Sequence, residues 1–102
     1  MSELIKQAQR EVLRDEILKL AAQSEPVGAS LQVLRAGLKK LDIDVSEVEL
    51  ATQMNYLEGK GLLYVERLKN SQLHIERTVA HITPAGTDVL EGNGAAAGIS
   101  CD

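Results

Sequence analysis

Ser46-Glu47-Val48-Glu49-Leu50-Ala51-Thr52-Gln53-Met54-Asn55-Tyr56-Leu57-Glu58-Gly59-Lys60-Gly61 is the stretch whose reading decides the fold of this 102-residue chain. It opens as a capping box: the Ser46 hydroxyl can accept the amide three residues on, and Glu49 can reach back to the Ser46 amide. Leu50, Met54 and Leu57 recur at spacings of four and three, which places them on one helical face. Gly59 or Gly61 ends the helix where a left-handed residue is wanted. Leu62-Leu63-Tyr64-Val65-Glu66-Arg67 follows directly, with strand chemistry. A short capped helix running straight into a strand is the unit around which the other segments are placed.

Upstream, residues 3 to 23 lack Gly and Pro and are rich in good helix formers, which predicts one long helix. Leu13, Ile17, Leu20 and Ala21 form its core face. Leu4, Ile5, Ala8 and Val12 form a second apolar face, rotated from the first. One small domain has difficulty covering both sides of a helix, so the second face is the expected homodimer interface; the alternative is cover by the C-terminal helix. Gln23 to Ala29 is a breaker segment punctuated by Pro26 and Gly28. Ser30 caps a second helix with a core stripe of Leu31, Leu34, Leu38 and Leu41. Gly37 inside it costs roughly 1 kcal/mol against alanine and marks close approach of another backbone. Leu41 to Val45 leads into the Ser46 cap, a helix-turn-helix arrangement whose turn is longer than the tight version and lacks its glycine.

Downstream, Leu62 to Arg67 and Arg77 to Thr83 are the predicted strands of a hairpin with its turn at Lys69 to Gln72; the hairpin can extend to include His74 and Ile75. Thr83 and Pro84 start a short helix that runs through Val89 and Leu90 to Gly92. Residues 3-92 therefore form one domain, and 93-102, small and Gly/Ala-rich, read as a disordered tail.

Helix, helix, helix, two-stranded wing and short terminal helix is the order of a winged helix-turn-helix. The sequence resembles such proteins at Met54 and Tyr56-Leu57-Glu58-Gly59-Lys60-Gly61-Leu62-Leu63, and again at Ala80-His81-Ile82-Thr83-Pro84-Ala85-Gly86. Residues 4 to 92 as a whole are similar to a family of small winged-helix proteins from Mu-like bacteriophages and prophages, described as resembling arsenic-repressor-type regulators. The resemblance implies a mainly α fold with a small β-hairpin, a long first helix and a short last one. By association it implies a DNA-binding transcriptional regulator in the cytoplasm of a bacterial or phage-infected cell. Metal sensors of the arsenic-repressor type carry paired cysteines on the recognition helix; this helix has none, so metal sensing by that route is not expected.

Composition narrows the function classes. Eleven basic and fifteen acidic residues leave a net charge of −4, so contact with nucleic acid must come from a local patch. Cys101 is the only cysteine, which excludes an intrachain disulfide and a Cys-rich zinc site. No signal peptide and no apolar run near eighteen residues is present, so no membrane partner is expected. His74 and His81 lack a second ligand at metal spacing. No nucleophile-base grouping or phosphate loop stands on a recognisable scaffold, so neither an enzyme nor a cofactor is expected.

With Leu50, Met54 and Leu57 inward, Glu49, Thr52, Asn55 and Tyr56 point outward, with Gln53 on the flank. Asn and Gln can pair bidentately with adenine, so these five are the candidate base readers. Opposing them, the stretch carries Glu47, Glu49 and Glu58 against Lys60, a net of −2. Arg35, Lys39 and Lys40 on the second helix, with Lys60, Arg67, Lys69, Asn70 and Arg77 around the wing, are the candidate phosphate anchors. Arg10 and Arg14 sit among Glu11, Asp15 and Glu16 and read as solvated surface. Two functions follow: a dimeric regulator that binds double-stranded DNA, or a winged-helix module that binds a protein partner, such as a phage assembly or packaging accessory, and no DNA.

Overall fold

A computed structural model describes residues 3–92, with side chains from Lys6 onward. The side chains of Leu4 and Ile5 and the expected tail 93–102 lie outside the described residues. The elements run α1 (Glu3–Gln23), β1 (Ala29–Ser30), α2 (Leu31–Lys40), α3 (Glu47–Gly59), β2 (Leu63–Asn70), β3 (Ile75–Ile82) and α4 (Pro84–Leu90). The three strands form one antiparallel sheet in the order β1-β3-β2.

The core is aliphatic. Leu13, Ile17, Leu18 and Ala21 of α1 meet Leu34 and Leu38 of α2, Leu50, Met54 and Leu57 of α3, and Leu63, Val65 and Ala80 of the sheet. Leu18 takes the core place assigned to Leu20, which lies half-buried over Gly37: a Cβ at Gly37 would stand 2.7 Å from Leu20 Cδ2. The close approach expected at Gly37 is therefore to a side chain, not to a backbone.

Both helices of the helix-turn-helix end in the same hydrogen-bonded motif. In α3, Gly61 N–H donates to Glu58 O at 2.9 Å and Leu62 N–H to Leu57 O at 3.0 Å, with Gly61 at φ +75°. This is a Schellman ending, and it needs a left-handed residue. In α2 the equivalent bonds run from Asp42 to Lys39 O at 3.0 Å and from Ile43 to Leu38 O at 2.9 Å, with Asp42 itself at φ +61°. The turn thus does without glycine by placing Asp in the left-handed region, which it tolerates better than most residues. Leu41 becomes the C-cap and is 50 % exposed, so it leaves the core stripe; Ile43 and Val45 pack there instead.

Two further boundaries differ from the sequence reading. The hairpin turn is Ser71 to His74, not Lys69 to Gln72. Asn70 Oδ1 accepts the Gln72 and Leu73 amides, both at 3.1 Å, and His74 takes φ +54°. Asn70 thus makes the Asx turn that its side chain favours. β1, within the expected breaker segment and the Ser30 cap, pairs Ala29 with Ala80 and Ser30 with Val79. A two-residue strand has no periodicity to detect.

The motifs at Gly61-Leu62 and Thr83 to Gly86 are in contact. Thr83 Oγ1 donates to Gly61 O at 2.6 Å and Thr83 N–H to Leu62 O at 3.2 Å. Thr83 Oγ1 also caps α4 by accepting the Gly86 amide at 3.0 Å. A Cβ at Gly86 would run into the Leu62 carbonyl oxygen. The end of α3 and the start of α4 are one interlocked joint, which sets the hairpin between them. No helix among the described residues is long and apolar enough to cross a membrane.

Candidate nucleic-acid interface

The Ser46 hydroxyl accepts the Glu49 amide at 3.1 Å and starts α3. Glu49 does not make the reciprocal capping contact; its Oε1 accepts Gln53 Nε2 at 3.1 Å. From this start the helix exposes Val48, Thr52, Asn55 and Gly59, spaced four, three and four and hence aligned on one face. Val48 is 78 % exposed. Thr52 Oγ1 donates to Val48 O at 2.9 Å.

The five expected base readers do not share that face. Thr52 and Asn55 are exposed, Glu49 and Tyr56 are half-buried, and Gln53 is only 2 % exposed. Gln53 therefore belongs to the interior, which corrects its assignment as a reader. Its position, three after Leu50 and four before Leu57, already put it on the inward face; only its polarity argued otherwise. Arg14 resolves that polarity. Its Nε donates to Gln53 Oε1 at 2.6 Å, and its guanidinium carbon lies 3.7 Å above the Tyr56 ring centroid. Arg14, read from sequence as plain surface, is thus the α1 side chain that braces one edge of α3, by a hydrogen bond and a cation–π contact. Val48, which the sequence reading omitted, stands at the start of the exposed face.

The wing braces the other edge. Arg67 Nη2 donates to Asn55 Oδ1 at 3.2 Å and pairs with Glu58 Oε1 at 3.3 Å. Glu58 Oε2 accepts the Val65 amide, also at 3.3 Å. Glu58 is thus tied to the sheet.

The basic residues divide by register. Lys69 pairs across the hairpin with Glu76 and Arg67 with Thr78, whereas Arg77 pairs with Leu68. Side chains alternate along a strand, so Lys69 shares the α3-facing side of the wing with Arg67, and Arg77 points to the opposite side. Asn70 forms the turn. Lys60 is the exposed C-cap of α3, with Nζ 5.7 Å from the Tyr56 centroid. Arg35, Lys39 and Lys40 are all exposed on α2; Arg35 and Lys39 border a shallow cleft of about 330 Å³ that reaches Ile43 and Asp44.

Ala8 and Val12 are exposed, so α4 does not cover them. They line one wall of a groove of about 890 Å³, opposite Glu49 and Thr52. His81 is absorbed by the sheet: its Nδ1 lies 3.2 Å from Glu25 Oε1, which also accepts the Ile82 amide. Among the described residues no three His, Cys, Asp or Glu side chains group as metal ligands would.

The architecture is that of a winged helix, with α3 in the recognition position. It is similar to the X-ray structure of a PadR-like transcription factor from Bacteroides fragilis, with a TM-score of 0.76 and 21 % identity over 89 % of this chain and 84 % of that one. It is also similar to a PadR family transcriptional regulator from Eggerthella lenta, with a TM-score of 0.59 and 22 % identity over 88 % of this chain and 79 % of that one. No family model and no curated protein matches the sequence.

Proposed function

We propose that this protein is a winged-helix transcriptional regulator that binds duplex DNA as a homodimer. In this reading α3 enters the major groove, while the α3-facing side of the wing and the charged edge of α2 contact phosphates. The observation that carries it is the exposed Val48, Thr52 and Asn55 face, braced on both edges and bordered by Arg67, whose side of the wing Lys69 shares. The acidity of α3 opposes docking less than its residue count suggests, because Glu58 is already held by Arg67 and the Val65 amide. The two structural neighbours, both described as transcription factors or regulators, support the same reading. Assignment to the phage or prophage type, and hence to the cytoplasm of a bacterial or infected cell, rests on the resemblance of residues 4 to 92 as a whole to the Mu-like phage family.

The test is a titration of labelled random duplex DNA at low ionic strength, repeated over a salt series. Binding should weaken linearly on a log–log salt plot, with a slope of roughly −0.9 per phosphate contact. Lys69→Ala should reduce the magnitude of that slope by about 1, and Arg77→Ala should change it less. Absence of binding at low salt rejects the proposal. The second reading, a protein-binding module, draws on the net charge of −4 and on the exposed Leu68, Leu73 and Ile75 of the wing. It would be favoured by that negative result together with capture of a protein partner through the wing.

A further inference from the structure

Asn55 stands on the exposed face of α3 with its orientation dictated from the wing. Arg67 Nη2 lies 3.2 Å from Asn55 Oδ1 and 3.3 Å from Glu58 Oε1. A guanidinium carries donors and no acceptor, so the amide oxygen of Asn55 must face it and the NH₂ must turn away. The arrangement is anchored at its far end, where Glu58 Oε2 accepts the Val65 amide. The Thr52 hydroxyl proton is engaged by the Val48 carbonyl. The exposed face therefore offers Val48 methyl groups, a Thr52 oxygen that can only accept, and a pair of Asn55 donors. It holds no cation of its own.

Base edges discriminate between these presentations. Adenine is recognised by an asparagine that accepts from N6 and donates to N7 with its two amide atoms side by side, whereas guanine presents two acceptors, N7 and O6. An amide whose oxygen is turned to a donor-only partner is mismatched to adenine and matched to guanine. We propose that Asn55 reads guanine through its two N–H donors, and that Arg67 is the positioning residue that sets this preference. The proposal rests on the DNA-binding reading above, and it replaces the adenine pairing that the residue type alone suggests. Arg67 itself is 56 % exposed and acts from the rim of the face.

The experiment is random-sequence duplex selection with the full chain and its Asn55→Ala, Arg67→Ala, Arg67→Lys and Asn55→Asp variants, each first checked for a wild-type thermal transition. Asn55→Ala identifies the base position that Asn55 reads, because only that position loses its preference. The wild-type chain should select guanine there. Arg67→Ala should weaken all sequences alike, through the lost cation, and in addition shift that one position from guanine toward adenine by roughly tenfold. Arg67→Lys, which keeps a donor, should retain guanine. Asn55→Asp, which has acceptors only, should move the position to cytosine, whose N4 is a donor. Selection of adenine by the wild-type chain, or an unchanged guanine preference in Arg67→Ala, overturns the inference while leaving DNA binding intact. If Arg67→Ala does not fold, retention of guanine by Asn55→Asp overturns it alone. Failure to enrich any duplex, with no binding at low salt, rejects the DNA-binding reading itself.

Discussion

Arg14 and Gln53 form a pair that neither residue type announces. Gln53 occupies a core position on α3, and its carbonyl is satisfied by the Arg14 guanidinium from α1. Removing one member of such a pair strands a buried polar group, at a cost of roughly 1–3 kcal/mol, whereas replacing both by apolar groups can be nearly neutral. Arg14→Leu should therefore destabilise the fold by about 2 kcal/mol, and adding Gln53→Leu should recover most of that loss. Urea denaturation of the two single variants and the double variant checks this; strictly additive losses would contradict it. At the turn between α2 and α3, Asp42 holds a left-handed backbone and sits at a helix C-terminus, where its charge is also unfavourable. Asp42→Gly should raise stability by about 0.5–1 kcal/mol, read as a higher urea midpoint with an unchanged slope.

The end of α3 and the start of α4 are joined by a close backbone approach. The α3 ending and the α4 cap share Gly61, Leu62, Thr83 and Gly86. Gly86→Ala places a methyl group against the Leu62 carbonyl, and overpacking of this kind costs roughly 1–3 kcal/mol. A loss near 2 kcal/mol corresponds to a fall in Tm of roughly 10 °C for a domain of this size, measurable by thermal circular dichroism. The same joint carries the hairpin, so Gly86→Ala should also reduce any contribution of Lys69 to DNA affinity. Sequence patterning located the ends of α1 and the caps of α2, α3 and α4, because a cap is a local exchange between a hydroxyl and an amide within four residues. The hairpin tip escaped that reading because β2 runs to Asn70 and β3 starts at Ile75, both beyond the residues with clear strand chemistry.

At the scale of the molecule, the first half of α1 extends beyond the core. Lys6 to Gln9 and Val12 are exposed, and Ala8 and Val12 face a groove rather than α4. We expect a second copy to cover this face, giving twice the 11.0 kDa chain mass by light scattering. Val12→Glu should restore the single-chain mass without lowering helix content. A wild-type chain that stays at 11.0 kDa at tens of micromolar would contradict dimerisation. A twofold pair would place two copies of α3 against DNA, and the selected sites should then be palindromic, with half-sites about one helical turn, roughly 34 Å, apart.

Local chemistry in the sequence was sufficient for the helices, three of their caps and the order of helices and wing, but not for β1. Each depends on spacings of three or four residues, on Gly61 at a helix end, or on Thr83-Pro84 at a helix start. Which side chains make up the reading face was not legible, because Gln53 and Tyr56 are engaged by Arg14, distant in sequence, and Glu49 turns to Gln53. Arg14 reaches α3 from 39 residues away, and Arg67 reaches Asn55 from the wing. Polarity on a helical wheel assigns a residue to solvent by default; only packing of α1 and β2 along the two edges of α3 left Val48, Thr52 and Asn55 as the exposed face and engaged Glu58. The division of Lys69 from Arg77 likewise depends on strand register, which in a hairpin is fixed by the turn type and loop length.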